Sequence, residues 1–264
     1  MKPPPSTAWG DALGYEGYVG RWSRQIAPAF VTWLGAPANL KWLDVACGTG
    51  ALTSAIVATA SPSKVVACDL SLNYLQHAQA SNSDARATFI AGNAQNLPFP
   101  PGSFDAVVSG LILNFLEADS AVEEQRRVIL PGGCIATYVW DYAAGYELTR
   151  VFWDAAISVD PSAAAYDPGR NSPLCNPAAL QALFQRHNLG NIAVTQLDGT
   201  AQFPNFNAYW QSLDARQGSL AKYLSQINEP TREKIRSFLS TALHRDDASP
   251  LKLQLRAFAV RATR

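Results

Sequence analysis

The sequence predicts an α/β fold in which a mostly parallel sheet carries helices on both faces. Along residues 41–140, short apolar segments of strand character alternate with amphipathic segments of helical length. Clusters of glycine, proline and asparagine separate these segments, as expected for the connections of such a fold. The chain has 264 residues, which is long enough for one large core of this kind.

Seven segments have strand character. In the last of them leucine alternates with polar residues, which predicts a strand with one polar face. The segment Leu130-Pro131-Gly132-Gly133 is expected to act as a stop between the preceding helix and the fifth strand. The predicted strands cover residues 41–46, 64–68, 87–90, 104–109, 134–140, 192–197 and about 251–260.

Helices are predicted before the first strand, between the strands and after the fifth strand. Their starts are marked by residues that favour helix N-termini, such as Ser71 and the Asn176-Pro177 pair. The predicted helical segments lie at residues 23–34, at 48–59 after an entering loop, at 71–80, 120–129 and 146–158, from 176 onward, and around 235–243.

Composition excludes several broad classes of function. Lys and Arg number 21, and Asp and Glu also number 21, so the formal net charge is zero. A neutral chain lacks the basic surface that non-specific nucleic-acid binding requires, so no nucleic acid is expected as a partner. The four cysteines form no CxxC pair and the three histidines lie far apart, which predicts neither a disulfide framework nor a zinc site.

The location of the protein is predicted from the absence of targeting features. The first residues lack the apolar stretch of a secretory signal. The longest nearly uncharged apolar run, residues 106–116, is too short to span a bilayer. A soluble, cytoplasmic protein without a membrane span is therefore expected.

The first chemical motif follows the first predicted strand and leads into a helix. It reads Leu43-Asp44-Val45-Ala46-Cys47-Gly48-Thr49-Gly50. The two glycines allow the backbone to approach a ligand closely. The dinucleotide fingerprint requires a third glycine where Thr53 stands, and Asp44 would repel a pyrophosphate. A carboxylate here suits a ligand that carries an ammonium and a sulfonium group.

The second motif places an acid at the end of the second predicted strand. Asp69 stands where a carboxylate can accept hydrogen bonds from both hydroxyls of a ribose. The alternative is that Asp69 only stabilises the N-terminus of the following helix, together with Ser71.

Two further motifs follow, one at residues 92–109 and one at residues 126–133. With the first two, they resemble the motifs of class I S-adenosylmethionine-dependent methyltransferases, in particular the small-molecule group that includes the quinone-biosynthesis methyltransferases. The resemblance covers about residues 40–140, and the four motifs keep the order and spacing of that family.

The resemblance implies an architecture. It implies a Rossmann-like, seven-stranded methyltransferase sheet with strands one to five parallel, the last strand antiparallel, helices on both faces and a helical cap. It also implies a helical lid segment at residues 1–38 and a methyltransferase domain at residues 39–264, with cap insertions at about 142–190 and 200–247.

The resemblance further implies S-adenosyl-L-methionine as the cofactor, with S-adenosyl-L-homocysteine as its product. Asp69 would hold the ribose, Leu70 would pack on the adenine, and Ser109 would offer its backbone near the amino-acid part. The full cofactor-binding set is Arg21, Trp22, Asp44, Ala46, Gly48, Gly50, Asp69, Leu70, Asn93, Ala94 and Ser109. Two residues depart from the family pattern, because Cys47 replaces a small residue and Asn93 replaces an aspartate.

The sequence defines the residues that bind the methyl acceptor less clearly than those that bind the cofactor. Tyr18, Asn114 and Asp141 are candidates for orienting the acceptor, and no general base is evident. The aromatic residues of 15–22 and 140–153 are expected either to wall an acceptor pocket over the sulfonium or to form a docked helix and core. The acceptor is expected to be a small, largely apolar molecule, and the protein a monomer or homodimer.

Two other functions stay open. The chain could bind S-adenosylmethionine without catalysis and act through a partner. It could also be an NAD-dependent oxidoreductase, which Thr53 and Asp44 disfavour.

Overall fold

A computed structural model describes residues 12–213, 218–243 and 250–264. Residues 1–11 of the predicted lid, and residues 214–217 and 244–247 of the predicted cap, lie outside the described residues. The described residues contain one seven-stranded sheet with the order β3-β2-β1-β4-β5-β7-β6. Its strands are β1 (Lys41–Val45), β2 (Lys64–Asp69), β3 (Ala87–Ala91), β4 (Phe104–Gly110), β5 (Ile129–Trp140), β6 (Gly190–Phe203) and β7 (Leu251–Thr263).

Strand directions agree with the prediction. Strands β1 to β5 pair in parallel, and β7 runs antiparallel to both β5 and β6. The carboxyl ends of β1, β2, β4 and β5 therefore meet at one edge of the sheet, which we call the carboxyl edge. Strand β6 also ends at this edge with Phe203, because it is antiparallel to β7. Ligands of open α/β sheets bind at such edges.

Helices surround the sheet. The N-terminal helical segment begins with α1 (Ala12–Tyr15), passes through a π-helical turn (Glu16–Gly20) and continues as α2 (Arg21–Leu34). The remaining helices are α3 (Ala51–Thr59), α4 (Leu72–Ser81), α5 (Ala118–Val128), α6 (Glu147–Val159), α7 (Pro168–Asn171), α8 (Pro177–Arg186), α9 (Phe206–Ser212), α10 (Gly218–Leu224) and α11 (Glu229–Ala242). No helix of the described segments is long and apolar enough to cross a membrane.

The two faces of the sheet carry separate apolar clusters. On one face, residues of α2, α3 and α6 pack with alternate residues of β1, β4 and β5, such as Trp42, Ala106 and Tyr138. On the other face, α5 and α8 pack with the intervening residues, such as Leu43 and Val107. The helices that follow β5 contribute Phe152, Tyr209 and Ile235 to the first cluster, together with sheet residues.

The prediction of a stop at residues 130–133 is wrong. Strand β5 includes these residues and forms a bulge, since Phe104 and Ala106 of β4 pair with Ile129 and Cys134 of β5. The positive φ of Gly132 allows this detour, and its amide donates a hydrogen bond to the carbonyl of Arg264. Pairing with the end of β7 therefore keeps this segment in the sheet.

Candidate functional site

The loop between β1 and α3 forms the centre of the candidate site. Gly48 has a φ of 54° and faces open space, since a Cβ placed on it would meet no atom within 4 Å. Gly50 has a φ of 85°, and a Cβ on it would lie 3.1 Å from the Cβ of Ala78 in α4. Gly48 thus leaves room for a ligand beside the backbone, whereas Gly50 allows the loop to pack against α4.

Asp69 lies at the end of β2 and is bonded to this loop. One carboxylate oxygen accepts a hydrogen bond from the Gly48 amide at 2.9 Å, and the other accepts one from the Ser71 amide at 2.8 Å. Burial raises the pKa of Asp69, while these amide donors lower it. The contact with Gly48 shows that Asp69 organises the loop as well as the start of α4. Each oxygen keeps capacity for a further hydrogen bond.

Asp44 is buried at the end of β1. Its Oδ2 accepts a hydrogen bond from the hydroxyl of Thr53 in α3 at 2.6 Å. Its Oδ1 is buried and has no hydrogen-bond partner within the described residues. Burial raises the pKa of Asp44 to about 7. Burial of a carboxylate with one unsatisfied oxygen raises the free energy of the folded protein. A cationic ligand group at this position would lower it again.

The residues expected around the adenine lie at the same edge but differ in exposure. Leu70 is 55% exposed, and Ala94 is buried. Asn93 is exposed, and its Oδ1 accepts a hydrogen bond from the Gln95 amide at 3.0 Å. The side chain of Asn93 thus supports its own turn, so its backbone and its free amide nitrogen are what it offers to a ligand.

Ser109 occupies the end of β4. Its hydroxyl donates a hydrogen bond to the Thr137 hydroxyl at 3.0 Å, and both side chains are buried. Ser109 can therefore offer only its backbone to a ligand, which agrees with the role the sequence predicts for it.

The N-terminal segment is tied to the glycine loop. The carboxylate of Glu16 accepts a hydrogen bond from the Thr49 hydroxyl and forms an ion pair with Arg24 at 3.0 Å. Arg24 also donates to the Thr49 carbonyl at 3.3 Å. Tyr15 packs on Tyr74 of α4, with ring centroids 5.5 Å apart. These contacts hold the N-terminal segment against the glycine loop and α4.

Sequence reasoning missed the residues that form this closure. Glu16 and Arg24 lie eight residues apart, a spacing that no motif singles out. Thr49 stands within the first motif and Thr53 follows it by three residues, and their hydroxyl groups were the available signal.

Arg21 and Trp22, the two N-terminal residues assigned to the cofactor, contact the end of β6. Trp22 is buried and packs edge-on against Phe203 at the end of β6, with centroids 5.5 Å apart. The Arg21 guanidinium lies 4.3 Å from the ring centroid of Trp22 and 5.2 Å from that of Phe203. Both contacts place these side chains at the β6 end of the carboxyl edge.

The aromatic residues after β5 are mainly core. Trp140 stacks on Tyr146 with a centroid distance of 4.3 Å, and both are buried. Phe152 and Trp153 pack with Tyr223 of α10. Of the two expectations for these aromatics, the structure favours a core beneath the edge, with Trp22 docked against the same cluster.

The three candidates for orienting the acceptor differ in their hydrogen bonds. Asp141 is buried, and its two oxygens accept hydrogen bonds from the amides of Ala144 at 3.1 Å and Gly145 at 2.8 Å. These contacts assign it to a turn. Asn114 follows β4, and its Nδ2 is buried without a hydrogen-bond partner in the described part of the chain. The side chain of Tyr18 lies outside the described residues.

Comparison with known proteins identifies the central part of this chain. Residues 43–137 match a family model described as a methyltransferase domain. They contain the glycine loop, Asp44, Asp69 and Ser109. This match supports the resemblance of the chain to the class I S-adenosylmethionine-dependent methyltransferases.

Relatives of this methyltransferase domain include enzymes of quinone biosynthesis. The chain is 41% identical over 118 residues to a demethylmenaquinone methyltransferase of Paenarthrobacter aurescens, covering 44% of each protein. It is 33% identical over 164 residues to one of Renibacterium salmoninarum, covering 62% of this chain and 63% of that protein. The aligned part of this chain thus spans between about two fifths and two thirds of these relatives.

The fold has solved counterparts. The phosphoethanolamine N-methyltransferase 2 of Haemonchus contortus, solved with phosphomonomethylethanolamine and S-adenosylhomocysteine, superposes with a TM-score of 0.59 at 17% identity. The match covers 96% of this chain and 56% of that one. At this identity the likeness shows that the methyltransferase fold extends beyond residues 43–137 to nearly the whole chain.

Proposed function

We propose that this protein transfers a methyl group from S-adenosyl-L-methionine to a small, largely apolar molecule. The observation that carries the proposal is the buried Oδ1 of Asp44, which lacks a partner among the described residues and lies at the strand end that leads into the open loop at Gly48. An ammonium group would satisfy this oxygen and remove the cost of its burial.

The residues of the site fit the cofactor. Asp44, Ala46 and Gly48 would hold its amino-acid part, because they form the end of β1 and the open loop. Asp69 would hold the ribose through the acceptor capacity that its amide contacts leave. Leu70, whose side chain is 55% exposed, would cover the adenine. The bound cofactor supplies an electrophilic methyl group on a sulfonium, which is a good leaving group.

The chain's own contribution is orientation and exclusion of water. The lid is fixed to the loop by Glu16 and Arg24, which closes the edge above Thr49. Asp141 is buried and both its oxygens hold a turn, so we give it a structural role and not that of a base. An acceptor that is already nucleophilic would need only positioning. Tyr18 and Asn114 remain proposed orienting residues.

Two observations support a small, largely apolar acceptor. The relatives in quinone biosynthesis bear names that point to ring-shaped apolar substrates. The β5–β6 end of the carboxyl edge is apolar beneath its surface, where Trp22, Trp140 and Phe203 are buried. We further propose that the protein works in the cytoplasm as a monomer or homodimer, on a small molecule and not on nucleic acid.

Methyl transfer can be tested directly. The protein is incubated with methyl-labelled S-adenosylmethionine and an organic-solvent extract of bacterial metabolites, and labelled small molecules are separated by mass spectrometry. A labelled compound that forms with the native protein and not with Asp69→Ala supports the proposal. Binding of the cofactor without any labelled product in extracts from several sources would favour the non-catalytic alternative.

A further inference from the structure

Arg21 presents a cation at the acceptor end of the carboxyl edge. Its guanidinium lies over the rings of Trp22 and Phe203, at 4.3 and 5.2 Å from their centroids. Burial lowers the pKa of Arg21, and the nearby Tyr146 hydroxyl acts in the opposite direction. The two rings support the guanidinium, and the Arg21 residue as a whole is exposed.

The neighbours of Arg21 locate it relative to the cofactor residues. Phe203 ends β6, and Tyr146 stacks on Trp140, which ends β5. Arg21 directly follows the π-helical turn whose Glu16 contacts Thr49 of the glycine loop. Arg21 thus lies on the N-terminal segment between the contact of Glu16 with the cofactor loop and the packing of Trp22 on the end of β6.

Other arginines near this edge are already paired with carboxylates. Arg24 is bonded to Glu16, and Arg150 is bonded to the buried Asp167 at 2.9 Å. Arg256 lies 3.3 Å from Asp198. In contrast, within the described residues no carboxylate lies within ion-pair distance of Arg21.

We propose that Arg21 is a specificity residue that binds a carboxylate on the methyl acceptor. The planar guanidinium can donate two parallel hydrogen bonds to a carboxylate. The acceptor would then be an aromatic or otherwise apolar acid, whose methyl-accepting atom lies on the part that points toward the glycine loop. This inference rests on the proposed function and narrows its acceptor class.

The experiment compares acids with their uncharged amides. Phenylacetate and phenylacetamide, and benzoate and benzamide, are titrated calorimetrically into the native protein, Arg21→Gln and Arg21→Lys. Each titration is run with and without saturating S-adenosylhomocysteine. Arg186→Gln serves as the matched control, because Arg186 is an exposed arginine paired with Asp119 on the far α8 surface.

We expect the native protein to bind at least one acid fivefold or more tightly than its amide. Arg21→Gln should abolish this preference, Arg21→Lys should keep part of it, and Arg186→Gln should keep all of it. The affinity for S-adenosylhomocysteine should stay within twofold in all three variants.

Three results would overturn the inference. The native protein could bind neither acid better than its amide. Arg21→Gln could keep the preference, or it could weaken S-adenosylhomocysteine binding as strongly as acid binding, which would make Arg21 a cofactor ligand. Failure of the native protein to bind S-adenosylhomocysteine would instead contradict the proposed function, while the titrations without that ligand still measure the role of Arg21.

Discussion

The carboxylate of Glu16 accepts a hydrogen bond from the Thr49 hydroxyl and so fastens the N-terminal segment to the glycine loop. Arg24 completes this contact with an ion pair to Glu16 at 3.0 Å and a hydrogen bond to the Thr49 carbonyl. The side chain of Glu16 is 19% exposed and that of Arg24 is 35% exposed, so water screens the pair only in part. The contact joins the two elements that would enclose the cofactor.

Glu16→Gln should accelerate release of S-adenosylhomocysteine. The change removes the charge that holds Arg24 and weakens the bond to Thr49, so the lid should open more often. We expect the dissociation rate constant to rise about three- to tenfold, measured by stopped-flow tryptophan fluorescence. Glu233→Gln, which breaks an exposed pair with Arg236 on α11, should leave the rate unchanged. Equal rates in native protein and Glu16→Gln would show that this contact does not close the site.

Asp69→Ala should weaken S-adenosylhomocysteine binding at least about tenfold. Hydrogen bonds to a charged acceptor contribute about 1.5–3 kcal/mol each, and tenfold corresponds to about 1.4 kcal/mol. The variant also loses the contact with the Gly48 amide, so circular dichroism must first confirm that the fold is intact. An unchanged affinity in a folded Asp69→Ala protein would show that Asp69 only stabilises the start of α4.

The contribution of Asp44 to the stability of the free protein should fall as the pH rises from about 4 to about 7. Burial raises the pKa of Asp44 from 3.8 to about 7, so in this range the folded state binds more protons than the unfolded state. Stability therefore falls with rising pH until Asp44 is ionised, and this contribution is constant above pH 7. Urea unfolding of the native protein and Asp44→Asn across this range measures the effect. A pH dependence that is identical in both proteins would contradict the assignment.

The same carboxyl should release a proton when the cofactor product binds. An ammonium beside Asp44 favours the ionised form, so affinity for S-adenosylhomocysteine should rise with pH up to about 7. Calorimetry at pH 6 in buffers of different ionisation enthalpy should detect this proton, and Asp44→Asn should release less. Proton uptake by the native protein would contradict a cationic group at Asp44.

Trp22→Ala should destabilise the fold. Trp22 is 5% exposed and packs on Phe203, and loss of a buried aromatic side chain costs about 3–5 kcal/mol. Urea unfolding should show this loss, with Trp22→Phe recovering part of it and the partly exposed Trp33→Ala losing less. A loss below about 1 kcal/mol would show that the lid is not docked on β6 through Trp22.

Much of the fold was predictable because strand and helix periodicity is local. All seven strands were expected, and the reversed direction of β7 followed from the family resemblance. The positions of Asp44, Gly48 and Asp69 at the ends of β1 and β2 were also predictable, since their motifs directly follow apolar strand segments. The bulge at Gly132 was not predictable, because it depends on pairing with the end of β7, far along the chain.

The lid and the aromatic residues show the limit of local patterns. The contact of Glu16 with Thr49 joins residues 33 positions apart, and only the folded chain brings them together. The spacing of Trp140 and Tyr146 along the chain is equally compatible with a pocket wall and with a core. Their burial is decided by the cap helices, whose packing has no motif.

Calorimetric titration of the native protein with S-adenosylhomocysteine and, separately, with NAD tests the central claim most directly. Asp44 and the open loop at Gly48 predict binding of S-adenosylhomocysteine with one ligand per chain and no detectable binding of NAD. Tight binding of NAD, with none of S-adenosylhomocysteine, would contradict the assignment of this site.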